Sequence, residues 1–286
     1  MYDELKNSGY SLFSAGGENA YIDQFQSNNK FNSEVIMSVS CSSTGGGNTT
    51  GNFWPIQKYC WPNDAAAYID VENTIPSPIV DLNRGWGQAF NVSPLYYDTY
   101  ESSDTRTKVI QTSYVRDDET KTVYTRDDIG TAWSGFILHK WLIPEGVTNG
   151  YRGNDIPLAR WADVLLMYAE AVARKTQAVP TGEALQGVND VRARAGLLPL
   201  SGSAVSSYDG FMDALLEERG HEFLFEGFRK IDLIRFNKYR QNCTAIKGVA
   251  PTHQYVPIPN FAVQQAESYG KTLEQYFERP GYASDQ

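Results

Sequence analysis

Cysteine is scarce in this chain, with three among 286 residues: Cys41, Cys60 and Cys243. They are widely spaced and odd in number, and they make no metal or redox motif. Small unpaired core residues are the expectation, with a single Cys41–Cys60 disulfide as the alternative. Long apolar runs are also missing. No stretch approaches the ~20 residues of a membrane span, and a mean hydropathy of -0.43 fits a soluble globular chain. Positive charge is in deficit, with a formal net charge of -9. A phosphate backbone would be repelled over most of such a surface, which excludes nucleic acid as the main partner. A neutral ligand tolerates an acidic protein.

Catalytic signatures are missing too. His139, His221 and His253 lie far apart, without metal-like spacing. No Gly-x-Ser-x-Gly, Walker loop or dinucleotide fingerprint is present. The start, Met1-Tyr-Asp-Glu-Leu-Lys6, has no basic stretch, apolar core or cleavage site, and no lipid-accepting cysteine follows it. No cofactor is expected. A structural calcium ion is an open option at Asp117-Asp118 or Asp127-Asp128, whose oxygens are hard ligands, although a charged hairpin tip explains these pairs equally well.

What is abundant is aromatic. The chain has 6 Trp, 18 Tyr and 13 Phe, so 13% of it is aromatic. Sugars present polarised C–H faces on which flat rings stack while polar neighbours bond the hydroxyls. Trp133, Trp141 and Trp161 lie in strand or helix patterns and read as core. Trp54, Trp61 and Trp86 lie among Gly, Pro and Asn in loops, where exposed rings signal binding. Asn83 and Arg84 are nearby hydrogen-bonding groups. Trp54, Trp61 and Trp86 are the ligand-binding candidates and Tyr96 is a weaker one, because a helix start often buries such a ring.

Residues 1–150 read as a loop-rich lobe, with the linker-like Ser42–Gly51 and Pro55, Pro62, Pro76 and Pro78 breaking up long helices. Short helices are expected at Ala20–Gln24, at Asp64–Val71 and from Pro94 to about Tyr100. Thr107–Val115 and Thr120–Arg126 predict a hairpin, and Ser134–Leu142 a further strand.

Residues 151–240 read as helical. Asp155 caps a first helix with Pro157 in its first turn. Leu158, Trp161, Ala162, Leu165, Ala169, Val172 and Ala173 form its apolar stripe. Pro180-Thr181 opens a second helix with Ala184, Val188, Val191 and Ala195 on one side, ended by Gly196. The two look like one tetratricopeptide-type hairpin. A third helix runs from Asp209 through Phe223, and Phe228–Asn237 makes a fourth after a bend at Gly227. Residues 241–286 read as an extended tail.

Arg219, Glu222, Glu226, Arg229, Asp232 and Arg235 form the conspicuous charge cluster, spaced to put Arg219–Glu222, Glu222–Glu226 and Asp232–Arg235 together on a helix surface. An acid–base pair is one reading. Each carboxylate has an arginine beside it, however, which holds it ionised. A half-buried ionic network locking the third helix onto the first is the better account.

Three blocks carry a family resemblance: Asp155-Ile-Pro-Leu-Ala-Arg160-Trp-Ala-Asp163, Val188-Asn-Asp-Val-Arg192-Ala-Arg194-Ala-Gly196, and Glu217-Glu-Arg219-Gly-His-Glu222-Phe-Leu-Phe-Glu226-Gly-Phe-Arg229. Tyr97-Asp-Thr-Tyr-Glu-Ser-Ser-Asp104-Thr-Arg106, the extended Tyr255-Val-Pro257-Ile-Pro259 and Arg279-Pro280-Gly281-Tyr282 add to them. In this order they resemble the C-terminal half of the SusD/RagB family, the surface lipoproteins of Bacteroidetes. The resemblance implies a mainly α fold: one tetratricopeptide-type helical hairpin, a loop-rich lobe and a minor β-hairpin. It implies non-catalytic binding of an oligosaccharide and its delivery to a SusC-like TonB-dependent outer-membrane transporter. It places the native parent on the cell surface of the outer membrane, held by a lipid anchor that this chain lacks. The chain reads as N-terminally shortened, without the family's N-terminal hairpins. A RagB-type peptide carrier, a helical scaffold and a carbohydrate-active enzyme are the alternatives. The enzyme needs two facing carboxylates free of arginine, and no such pair is legible.

Overall fold

The structure is a computed structural model that describes residues 2–41, 56–65, 87–116, 119–120, 122–141 and 153–274. Backbone contacts divide the chain into two compact units, Met1–Glu226 and Gly227–Gln286.

In the first unit the elements run in order. They are α1 (Tyr2–Leu5), α2 (Ala20–Asp23), β1 (Val35–Val39), α3 (Ile56–Cys60), α4 (Pro94–Tyr97), β2 (Ile110–Gln111), β3 (Tyr114–Val115), β4 (Val123–Tyr124), β5 (Ile137–Leu138), β6 (Ile156–Arg160), α5 (Trp161–Thr176), α6 (Glu183–Arg194) and α7 (Tyr208–Glu222). The strands make three antiparallel pairs, β1–β6, β2–β5 and β3–β4. The expected hairpin is β3–β4, shorter than predicted, because Thr105–Val109 winds into a 3-10 turn capped by Asp104.

The first long helix starts later than its apolar stripe suggests. Asp155 does not cap it: Ile156–Arg160 is a strand, and Pro157 lies opposite Ser38 across the pair with β1. A two-stranded sheet consists only of edges, and an edge strand tolerates proline's missing N–H. Leu158 therefore leaves the helical stripe and is 45% exposed. From Trp161 onward the stripe holds. Trp161, Ala162, Leu165, Ala169 and Ala173 are buried.

The hairpin partner α6 buries Ala184, Val188 and Val191. A Cβ placed on Gly187 would meet Leu165 Cδ2 at 3.2 Å, so the glycine lets α5 and α6 approach closely. Gly196 ends α6 with φ +77, where a Cβ would also stand 3.2 Å from the Ser103 carbonyl oxygen. Gly196→Ala is expected to cost about 1–2 kcal/mol through the left-handed backbone and this crowding, measured as a lowered urea midpoint. An unchanged midpoint would show that the turn relaxes freely. On α7, Ser207 caps the N-terminus by accepting from the Gly210 N–H at 3.1 Å, and Phe211 and Leu215 are fully buried.

The first unit has an aromatic core of Tyr21, Phe25, Trp61, Trp133, Phe136 and Trp141, with Cys60, Val109, Leu138 and Leu224. Trp133, Trp141 and Trp161 are buried as expected. None of the three cysteines is in a disulfide, and Cys41 and Cys60 are buried.

The second unit contains α8 (Arg229–Arg235), α9 (Tyr239–Lys247) and α10 (Asn260–Ser268). The tail is thus not extended throughout. His253–Pro259 is non-helical as its prolines require, but helices flank it.

Candidate functional site

Glu218, Arg219 and Glu222 of α7 reach partners on distant segments. Glu222 ends α7 at 0% exposure and gathers three guanidiniums. Arg160 Nη1 donates to it at 2.9 Å, Arg106 Nη1 donates at 3.4 Å, and Arg194 Nη2 also donates to it. The network extends outward from this point. Arg160 reaches Glu226 at 2.7 Å and also Glu34, while Arg194 reaches Glu34 at 2.7 Å. Arg106 binds Asp104 at 2.7 Å and Glu218 at 2.6 Å. Lys140 Nζ donates to Glu226 at 2.6 Å, to the Leu224 carbonyl at 3.0 Å and to the Tyr21 hydroxyl at 2.9 Å.

These contacts set the protonation states. Burial would raise the Glu222 carboxyl, but the guanidiniums of Arg194, Arg160 and Arg106 prevail and hold it at about 2, against an ordinary 4.5. Burial lowers the Lys140 ammonium to about 8 although Glu226 pulls it upward. Neither carboxyl of the Glu222–Glu226 pair stands free of a cation, as a general acid would require. Of the other cluster residues, Arg219 reaches across to Asp163 on α5 at 2.8 Å. Within the second unit, Asp232 pairs with Arg235 at 2.9 Å. Arg229 lies at the start of α8.

Trp54, Asn83, Arg84 and Trp86 lie outside the described residues. Trp61 differs from the loop exposure expected of it. It follows directly on α3, is 6% exposed, and stacks at 6.1 Å on His139 within the core. The short helix turns its indole inward, which leaves little of the ring for a ligand. Tyr96 is partly buried, with its ring 5.7 Å from His221 and 5.9 Å from Tyr100.

The root of the Trp86 segment is well defined. The Gln88 N–H donates to the Trp61 carbonyl and the Phe90 N–H to the Tyr59 carbonyl, both at 3.0 Å. The Gln88 side chain is clamped between the Gly135 carbonyl at 2.6 Å and the Ser134 N–H at 2.8 Å. These bonds hold Gln88 at φ +50, a conformation that costs a non-glycine residue energy and persists only where its surroundings enforce it. The result is a row of rings at this root. Tyr59 and Phe90 lie 5.9 Å apart, Phe90 and Phe225 lie 6.5 Å apart, and Phe90 is 46% exposed. Sequence reasoning missed Phe90 and Tyr59 because neither lies in a periodic pattern. The available signal was the position of Phe90, four residues beyond Trp86 in the same loop.

A separate cleft of about 690 Å³ opens beside α7 and the Gly202–Val205 turn. Its charged lining is Glu101, Asp104, Asp213, Glu217 and Glu218 against Arg192.

The sequence profile of the SusD family matches residues 22–277. The chain belongs to the SusD family. A curated SusD-like protein of Formosa agariphila is 39% identical over 111 residues, 36% of this chain and 21% of that protein. Among solved structures, a SusD superfamily protein from Parabacteroides distasonis is similar at a TM-score of 0.65 and 19% identity, over 98% of this chain and 57% of that one. Surface glycan-binding protein A from Bacteroides thetaiotaomicron, solved with laminarihexaose, is similar at 0.64 and 23% identity, over 96% and 57%. NanU of B. fragilis is similar at 0.64 and 23%, over 98% and 56%. At these identities the likeness is one of fold. The chain spans a little over half the length of these solved proteins and about a fifth of the curated relative.

In this SusD-family chain, four of the blocks that carry the resemblance meet at one place. Arg160, Arg194, Glu222, Glu226, Asp104 and Arg106 come from four of those blocks, and all lie in the buried ionic network. The residues that mark the family here hold the fold together. The ligand candidates lie on the lobe outside those blocks. Among the described residues, no helix is long and apolar enough to cross a membrane.

Proposed function

We propose that this chain serves non-catalytic binding of an oligosaccharide at the bacterial cell surface and its delivery to a SusC-like TonB-dependent outer-membrane transporter. The native protein is then lipid-anchored to the outer membrane. The single observation that carries the binding reading is the exposed Phe90, backed by Tyr59 and Phe225 at the root of the segment bearing Trp86. Flat rings on a rigid base lose little entropy when a sugar face stacks on them. The similarity to a glycan-binding protein solved with laminarihexaose supports the ligand class. Trp86 is the leading ligand contact in this reading, with Asn83 and Arg84 as hydrogen-bonding candidates, and the buried Trp61 and partly buried Tyr96 are weaker ones. Trp54 is a further stacking candidate. The pairing of Glu222 with three arginines speaks against an acid–base enzyme built on that carboxylate.

The test is affinity electrophoresis against a polysaccharide panel that includes laminarin, followed by calorimetry on the retarding glycan. Trp86→Ala and Phe90→Ala are each expected to weaken binding about tenfold to thirtyfold, the scale of losing a ring anchor worth roughly 1.5–2 kcal/mol. Retardation unchanged in both variants would remove the platform. A second reading, capture of a basic peptide, is favoured by the acidic lining of the 690 Å³ cleft. Lysine-rich peptides that bind while no glycan does would establish that reading.

A further inference from the structure

The ring row at Phe90 rests on a strained turn. Beyond α7 the Glu226 N–H donates to the Phe223 carbonyl at 2.9 Å, and Phe225 takes the third position of this turn at φ +60. Glycine or asparagine ordinarily occupies such a position. A bulky side chain persists there only where its surroundings enforce the backbone. Gln88, at φ +50, is the second left-handed residue at the same row. The clamp on its side chain accounts for Gln88 but does not reach Phe225. Phe225 is partly buried, and its ring meets Phe90 edge to face at 6.5 Å, within the range of favourable aromatic pairs.

The group that holds Phe225 comes from a distant segment. Lys140 follows β5, and its side chain is fully buried. Its ammonium donates to the Leu224 carbonyl at 3.0 Å and to the Glu226 carboxylate at 2.6 Å, one residue before Phe225 and one after it. The remaining N–H goes to the Tyr21 hydroxyl at 2.9 Å, which itself donates to the Glu222 carbonyl at 2.6 Å. All three donors of the ammonium are therefore committed to the turn and the helix end before it. Arg160 Nε and Nη2 hold Glu226 as well, at 2.8 and 2.7 Å. The Phe25 ring lies 4.2 Å from the ammonium. An apolar side chain at this position would avoid the desolvation cost of a buried charge. It would offer the turn no donor.

We propose that Lys140 is a positioning residue for glycan binding: by fixing the chain on both sides of Phe225 it holds that ring against Phe90 and sets the angle of the exposed ring on which a sugar face stacks. This role rests on the reading of that ring row as the glycan surface. The ammonium touches no ligand, and its effect passes through Phe225.

The experiment compares the parent chain with Lys140→Met, Phe225→Leu, the double variant and Glu226→Gln. Two quantities are read: the nuclear Overhauser effect between the ring protons of Phe90 and Phe225, and laminarin affinity from electrophoretic retardation. Lys140→Met is expected to abolish the ring-to-ring effect and to weaken laminarin binding about threefold to tenfold, the scale of one aromatic pair. Phe225→Leu is expected to weaken binding to the same extent. The double variant is expected to lose no more, because two residues acting through one contact are not additive. Gly196→Ala lowers stability at a site that meets Ser103 and Thr105 instead. It is expected to keep both the ring effect and the affinity, which separates positioning from loss of stability. Glu226→Gln keeps the side-chain shape but removes the charge that Lys140 meets, and is expected to weaken the ring effect with a smaller loss of affinity. It decides the matter if Lys140→Met does not fold. An unchanged ring effect in folded Lys140→Met, or in Glu226→Gln where the former does not fold, would overturn the proposal, as would additive losses in the double variant. If the parent chain binds no laminarin, the glycan reading of the row fails for that polymer, and the ring effect still decides whether Lys140 positions Phe225.

Discussion

Glu222→Ala is expected to destabilise the first unit by about 3–5 kcal/mol, the usual cost of removing one partner from a buried ionic network. Burying charge is unfavourable in itself, and the network earns little net stability over an apolar core of the same shape. Its cost appears when one member is withdrawn. Arg106 would retain Asp104 and Glu218, and Arg160 would retain Glu34 and Glu226. Arg194 would keep Glu34 alone while fully buried. That stranded guanidinium dominates the loss. The check is the urea midpoint of the variant against the parent chain. Asp98→Ala is the control. It breaks the Arg126–Asp98 pair, whose side chains are 48% and 44% exposed, and surface pairs of this kind contribute little. Its midpoint should not move. A Glu222→Ala chain as stable as the control would mean that water enters and solvates the freed guanidiniums.

Acid should unfold the same unit through the same carboxylate. The Glu222 carboxyl is held at about 2 in the fold against 4.5 unperturbed. The folded state therefore resists a proton that the unfolded chain accepts. The stability this supplies is fully present above about pH 4.5 and is lost as pH falls from there towards 2. The difference corresponds to about 3 kcal/mol. Measuring the urea midpoint at steps from neutrality to pH 2 tests this, with Glu222→Gln as reference. The parent should lose most of its excess stability over the variant between pH 4.5 and 2. Parallel curves for parent and variant would show that Glu222 is not the responsible group.

Local patterns were legible wherever a contact lies between near neighbours in sequence. The stripe of Ala184, Val188 and Val191 and the stop at Gly196 located α6 closely, because helix period and the left-handed C′ position are properties of short segments. The start of α5 was misplaced for a related reason. Asp155 and Pro157 suit a helix start and an edge strand alike, and only the distant Val35–Val39 chooses between them. Trp61 shows the same limit. Prolines and asparagines around it read as loop, while its burial depends on His139 and the core behind it.

The charge cluster divides along the same line. Spacings of three and four on α7 suggest Arg219–Glu222 and Glu222–Glu226, and they do identify residues of a buried ionic lock. They misassign the partners of Glu222, which come from Arg106, Arg160 and Arg194, separated from it by 116, 62 and 28 residues. The sequence by itself determined the helical hairpin, the family and the ionic character of the lock, since periodicity, capping and motif order are written locally. Only the tertiary structure decided which charges meet and that Phe90 joins Tyr59 and Phe225. Those outcomes depend on chain segments brought together by burial of the core, and no local spacing records them.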